Sequence, residues 1–459
     1  MSTFFSLLVS TALIAASIAS PAILKLYTSS GEVYTVTTIA DTFDGACDAD
    51  CSLRDAITAA NAAPGSLVHV PAGVYLIGSF LQITQDVTVQ GAGMDVTIID
   101  GGDLTTTLII NAPSSLVYIN DLTIRRSTGS ALTSQSTTLE LNRVRLSESE
   151  NTMIGGGGLL VGSGFVQVND SFIDANEVRY VTEGGGGVYN VGGQVTLYRT
   201  TVTGNFAPNG GGIYNASGTL VTRESRIVGN EAITRGGGIY DYYGTVTVQD
   251  SEISGNQAGG DGGGIFSRVS IGIEQSTISG NTTHGCGGGI GLGGTLVLAT
   301  ISHSTIVNNW TDHAAGGAGI CGNFDQSYLV NHTILADNIA PNAQASVDCA
   351  FWGPGGAFSG GYNLVETPGF CGHLGSGAGD IVGIDPEINA LANNGGFTQT
   401  HALAPGGPAV DSGDPLYTST LFDQRGAGFP RLNHYRIDIG AYELQQHFIF
   451  LPINLINIP

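Results

Sequence analysis

The sequence predicts an all-β chain, a right-handed parallel β-helix with an N-terminal helical cap and an irregular C-terminal region. Three observations carry this. A triplet-glycine element followed by an aliphatic residue recurs every 25 to 30 residues. A second element, Ser/Thr-x-Ile/Val-x-x-Asn, recurs between its copies. The composition is rich in glycine (70 of 459 residues) yet 42% hydrophobic and only 12% charged, which suits many short strands and tight turns rather than disorder.

The glycine element ends at Asn190, Asn215, Asp241, Phe266, Gly291 and Cys321, with a degenerate first copy at residues 155–160. Its aliphatic anchors are Leu159, Val188, Ile213, Ile239, Ile265, Ile290 and Ile320. The companion element places Ile173, Val202, Ile227, Ile253, Ile278 and Ile306 three residues ahead of Asn176, Asn205, Asn230, Asn256, Asn281 and Asn309. A third strand-like run completes most units, at residues 194–197, 219–221, 245–248 and 296–298. Units of three short strands cannot bury an apolar face alone, but stacked at about 4.8 Å they share one core. Helical repeats of this length are excluded, because glycine triplets are costly inside helices. Period-two alternation turns the Ser and Ile of Ser-x-Ile inward and the middle residue outward. The asparagines suit left-handed turn positions and, repeated once per coil, predict an internal ladder.

A solenoid needs capped ends. Leu53, Ala56, Ile57 and Ala60 follow helical spacing, with Ser52 and Asp55 as a capping pair, so residues 31–66 read as an N-terminal cap. Coils are expected over 67–345 and a C-terminal coil and tail region over 346–445. Residues 1–22, apolar from 4 to 18 with small residues after, read as a signal peptide, the alternative being an uncleaved anchor reaching Leu26. The apolar tail 446–459 is too short to span a bilayer and reads as a sorting tail or a last strand.

Net charge is −23 and Lys25 is the only lysine, so nucleic-acid binding is not expected and no cofactor is implied beyond a loosely held divalent cation. Six cysteines fit an oxidising compartment. Cys47 and Cys51 lie four apart, Cys349 and Cys371 flank a glycine-rich loop, and Cys286 and Cys321 remain for each other. The rival for the last pair is a metal site of His284, Cys286, His313 and Cys321, whose spacing matches no zinc pattern.

Residues 51–57 resemble the CSLREA-type N-terminal motif of bacterial surface β-helix proteins. Residues 349–443 resemble the choice-of-anchor C-terminal region of the same proteins. The latter likeness rests on Gly361 to Leu364, Val382 to Pro386, Thr400 to Leu403, Gly407 to Asp411, Asp423 to Gly426 and Asp438 to Glu443. The middle repeats resemble, more loosely, those of polymorphic outer-membrane adhesins. These resemblances imply a cell-surface or extracellular location, membrane contact through an anchor alone, and no established reaction.

The pectin-lyase-like solenoid also carries lyases and galacturonases, so fold alone decides nothing. Aligned coils bring the outward residues Asp170, Arg199, Glu224 and Asp250 into one column, with Arg226 and Glu252 beside it. Glu224, Asp250, Glu252 and Arg226 are the candidate catalytic groups, expected instead to form a solvated salt-bridge ladder. Tyr189, Tyr214, Tyr240 and Phe266 each follow an inward anchor and predict an outward aromatic column, extended by Tyr242 and Tyr243. Such a column binds a glycan or another surface protein, or is a ladder covered by a loop. His401 reads as a packed, hydrogen-bonded residue. The sequons at Asn169, Asn215, Asn281, Asn309 and Asn331 coincide partly with turn positions. The leading reading is a non-enzymatic binding or adhesion scaffold. The alternatives are a carbohydrate-active enzyme, recognised by a groove of converging carboxylates, and a structural envelope or filament component, recognised by lateral self-association.

Overall fold

A computed structural model describes residues 31–445 apart from 136, 153–154, 180–182, 295–297, 324–326, 344–346, 353–355, 418 and 434. The signal-peptide reading and the apolar tail lie outside the described residues.

The helix Leu53–Ala62 forms as expected, with Ser52 at its N-cap. The Asp55 amide donates to Ser52 Oγ at 3.0 Å, and that hydroxyl donates to the Asp55 carboxylate at 2.7 Å. Its buried face, Leu53, Ala56, Ile57 and Ala60, packs on the first strands and closes that end of the core. Among the described residues no helix is long and apolar enough to cross a membrane.

Beyond the cap, strands pair in parallel, coil upon coil. Ile213 stands over Ile239, Leu220 over Val246 and Ile227 over Ile253. These side chains are fully buried in one continuous core. Each contributes about 1.5–3 kcal/mol of apolar burial. The stacking continues through Leu364–Val365 to Ile381–Val382.

One local expectation is corrected. Each regular coil has four strands, not three. The extra ones, such as Phe206–Asn209, Glu231–Arg235 and Gln257–Ala258, form a separate seven-stranded sheet. Their inward residues are single and small (Ala207, Ala232, Ala258), so no apolar alternation announces them. The run at 296–298 lies mostly outside the described residues; the described strand is Leu298–Ser302, with Ala299 and Ile301 inside and Leu298 exposed.

The asparagine ladder is present. The Nδ2 of each asparagine donates to Oδ1 of the next from Asn176 to Asn338 at 2.9–3.0 Å, and Asn338 donates to Asp348 at 2.9 Å. The asparagines do not themselves take the left-handed conformation. The residue before each does, at Gly204, Gly229, Gly255 and Asn308, with φ from 58° to 63°. That turn points the amide inward, where it satisfies the backbone of the preceding coil, as in Asn256 Nδ2 to Ile227 O at 2.9 Å.

The glycine triplets mark close backbone approach. A Cβ on Gly212 would lie 2.7 Å from Gly238 O, and one on Gly237 2.4 Å from Gln257 O. The first glycine of the triplet holds φ of 59° at Gly210 and 64° at Gly236, which disfavours any side chain.

Candidate functional site

The residue after each anchor does leave the strand core. Tyr189, Tyr214, Tyr240 and Phe266 stack in one column, with centroids 5.1, 4.9 and 5.6 Å apart. The column is not an open surface. Its four members are only 2–5% exposed. Leu160, Ala216 and Tyr242 pack on it, the Arg235 guanidinium sits 5.1 Å from the Phe266 ring, and Glu183 and Arg268 lie on the tyrosine side of the column. Of the two readings of the column, the covered ladder is the one observed. Burial pushes the Tyr214 hydroxyl well above the ordinary tyrosine range, with its tyrosine neighbours and Glu183 adding to the effect. The ladder ends at the next coil because Gly291 replaces the aromatic; a Cβ there would lie 3.0 Å from the Phe266 ring. What remains accessible is the edge: Tyr243 is 60% exposed, beside a half-buried Tyr242.

Beneath the ladder runs a second buried polar column that the sequence reading missed. Asn190 Nδ2 donates to Asn215 Oδ1 at 2.8 Å, and Asn215 Nδ2 to Asp241 Oδ1 at 2.9 Å. Ser267 Oγ donates to the other Asp241 oxygen at 3.1 Å. Burial pushes the Asp241 carboxyl up to about 6, against the pull of these bonds. The signal was visible: Asn190, Asn215 and Asp241 close successive repeats.

The candidate catalytic residues are rearranged relative to expectation. Asp170, Arg199, Glu224 and Asp250 do stand in one column, all in the left-handed conformation with φ from 45° to 48°, and the column continues through Gln275, His303 and His332. Arg199 pairs with Asp170 at 3.1 Å rather than serving the acids further along. Arg226 pairs with Glu252 at 2.7 Å. The ladder is not solvated at this point. Glu252 is fully buried, taking bonds from Arg226 Nε at 2.7 Å, Ser254 Oγ at 2.6 Å and the Gln399 amide at 2.9 Å. Burial pushes Asp250 up to about 7, with Glu274 and Glu224 opposing its ionisation further and Arg223 favouring it.

The cover is the C-terminal region itself. After Ile381–Val382 the chain turns back and lies along the outward face of the Ser-x-Ile strands. Gln424 accepts from Thr277 Oγ1 at 2.6 Å and donates to Ser251 O at 3.2 Å. His401 Nε2 bonds Ser279 Oγ at 2.8 Å and its Nδ1 bonds Asn389 O at 2.7 Å, so His401 is the packed, bonded residue expected. Leu403, Ala409 and Ile439 pack on Val307, Ile334 and Leu364. Arg425 holds the strap's own shape, bonded to Asp423 at 2.6 Å and lying 4.1 and 3.8 Å from the Phe429 and Tyr442 ring centroids. Farther along, the His303 and His332 rings stack at 4.5 Å under Tyr417, and the Asp414 amide donates to His332 Nε2 at 3.2 Å.

All three disulfides, Cys47–Cys51, Cys286–Cys321 and Cys349–Cys371, are formed. The alternative metal site therefore falls: both its sulfurs are consumed, and His284 bonds Asp312 at 3.0 Å. Asp44, Asp48 and Asp50 bring carboxylate oxygens within 4.8 Å of one another on an exposed loop. Of the sequons, Asn215, Asn281 and Asn309 are buried in the ladders.

The Chlamydia polymorphic membrane protein repeat matches residues 250–268, less than one coil of the stack, in agreement with the likeness of the middle repeats to polymorphic adhesins. No curated protein matches the chain. Among solved structures, the pectate lyase Pel9A is 12% identical, with 90% of this chain and 96% of that one covered and a TM-score of 0.48. The A-module of Azotobacter vinelandii mannuronan C-5 epimerase AlgE6 is 15% identical, with 77% and 96% covered and a TM-score of 0.47. Tailspike protein 3 of bacteriophage CBA120 is 12% identical, with 68% and 58% covered and a TM-score of 0.33.

Proposed function

We propose that this chain is a non-enzymatic extracellular or cell-surface scaffold that presents a rigid β-helix for binding a glycan or a surface protein. The observation that carries this reading is the state of Glu252. It is the candidate acid best placed beside an arginine, it is fully buried, and both its oxygens are used by Arg226, Ser254 and Gln399. A general acid or nucleophile must reach the bond it breaks. Glu224 and Asp250 lie in the adjoining turn column, and Arg199 and Arg226 are each committed to another carboxylate. The disulfides and the repeat match to a membrane-protein family support an extracellular or surface location.

The test is incubation of the chain with a polysaccharide panel, following both retention and chain length. Retention without shortening is expected. Shortening of any polysaccharide that Glu224→Gln, Asp250→Asn or Glu252→Gln abolishes would establish the carbohydrate-active alternative instead.

A further inference from the structure

The geometry points to a binding site for an acidic glycan at the exposed edge of the aromatic ladder, formed by Tyr242, Tyr243 and Arg268. This deepens the scaffold reading and rests on it.

The site is built by the repeat. Ala216, Tyr242, Arg268 and Gly293 occupy the same turn position in four successive coils, each donating its amide to the carbonyl one coil back (Asn190, Asn215, Asp241 and Ser267) at 2.8–3.0 Å. Two large side chains therefore stand between an alanine and a glycine, on a backbone fixed by the stack. The Tyr242 and Tyr243 rings lie 4.1 Å apart, and Tyr242 is braced edge-on against Tyr214 at 6.4 Å. The Arg268 guanidinium lies 4.5 Å from the Tyr242 ring and 5.5 Å from the Tyr243 ring.

Arg268 differs from its neighbours in what it lacks. Arg143, Arg145, Arg199, Arg226 and Arg235 each bind a carboxylate within 3.2 Å. Arg268 has no carboxylate partner among the described residues and lies against tyrosine rings instead. In a chain of net charge −23, a guanidinium with no salt bridge of its own and backed by aromatic rings presents planar donors to an outside anion. Tyr243, 60% exposed, offers a face on which a pyranose ring stacks. Two rings and one cation are far too small for a protein interface of about 800 Å² per partner. They match one or two sugar units carrying carboxylate or sulfate. At physiological salt, charges beyond about 8 Å are screened, so most of the chain's acids act only weakly on an anion held by the guanidinium.

The experiment measures affinity for two matched pairs: a hyaluronate octasaccharide against its carboxyl-reduced form, and dextran sulfate against dextran. At least one anionic member should bind ten-fold or more tightly than its neutral counterpart, and which one does identifies the anion as carboxylate or sulfate. Arg268→Gln and Tyr243→Ala should each cost ten-fold or more with the melting midpoint unchanged, and Phe165→Ala, an exposed aromatic elsewhere, should cost nothing. Equal binding of charged and neutral members, absence of binding to all four, or full affinity in Arg268→Gln would overturn the site. Shortening of a probe would instead count against the scaffold reading, independently of which residues bind.

Discussion

Asn230 donates from Nδ2 to Asn256 Oδ1 at 3.0 Å, while its own backbone amide donates to the same oxygen at 3.0 Å. One carboxamide oxygen thus satisfies two buried donors, and the amide of Asn256 passes the pattern on to Ile227 O and Asn281. Asn256→Ala would take a partner from the Asn230 backbone amide, from one Asn230 Nδ2 hydrogen and from Ile227 O, while Asn281 Oδ1 keeps the backbone amide of residue 256. Each unsatisfied buried group costs about 1–3 kcal/mol. A loss of at least about 3 kcal/mol is expected in urea unfolding, whereas Asn169→Ala, at the half-buried edge, should lose well under half of that.

The Arg226–Glu252 pair predicts where the molecule loosens first. Removing one partner of a buried pair costs about 3–5 kcal/mol, and Arg226 is about a third exposed, so Glu252→Gln should cost less, about 1–2 kcal/mol. The Gln399 amide loses a charged acceptor at the same time. Hydrogen exchange at residues 398–402 should therefore quicken before that of the coils beneath. Equal protection of both segments in the variant would separate the pair from the hold of the strap.

The interface under the strap also sets a pH optimum. Burial lowers His332 to about 4, with Arg431 opposing protonation as well, and its Nε2 already accepts from the Asp414 amide. Burial holds His303 well below 6.5, reinforced by Arg431 and His332. Folded values below the unfolded one mean stability is lost as pH falls from 6.5 toward 4. Burial moves Asp250 the other way, to about 7, and pushes up Asp438 to about 6 and Glu443 to about 8. Their folded values lie above the unfolded ones, so the stability they contribute is full below about pH 4 and is lost as pH rises from there through about 6 to 8. Three such acids outweigh two histidines, so thermal midpoints should be highest near about pH 4 and fall as pH rises, less steeply below about 6.5 where the histidines oppose the loss. His332→Gln should steepen the fall between about pH 4 and 6.5 and leave the slope above it in place.

How much of this was legible depended on period. Ile213, Ile227 and Asn230 recur at fixed offsets, so the core, the inward Ser-x-Ile face and the asparagine ladder followed from spacing alone. The fourth strand did not, because Ala207 or Ala232 alone is no alternation. The aromatic column was placed outside the core with a covered ladder as one of its two readings, but what covers it was not legible, because Glu183 and Arg268 lie outside the strands and Arg235 ends one of the short strands that no alternation announces. The strap was the largest omission. Its contacts join distant residues, polar ones such as His401 with Ser279 and Gln424 with Thr277 and an apolar cluster of Leu403, Ala409 and Ile439 on Val307, Ile334 and Leu364, and nothing local in 383–445 announces where it lies. The acid candidates therefore looked solvated when Glu252 is sealed.

The covered ladder carries a last prediction. Tyr214 is 2% exposed and lies between Tyr189 and Tyr240 at 5.1 and 4.9 Å. Phe266 already fills the same position in another coil, so the ring rather than the hydroxyl holds the stack. Tyr214→Phe should cost less than about 1.5 kcal/mol, as shape-conserving core changes do. Tyr214→Ala removes a ring from a closed space and should cost about 3–5 kcal/mol. If urea midpoints show the two variants equally destabilised, the Tyr214 hydroxyl, and not ring packing, secures this face of the helix.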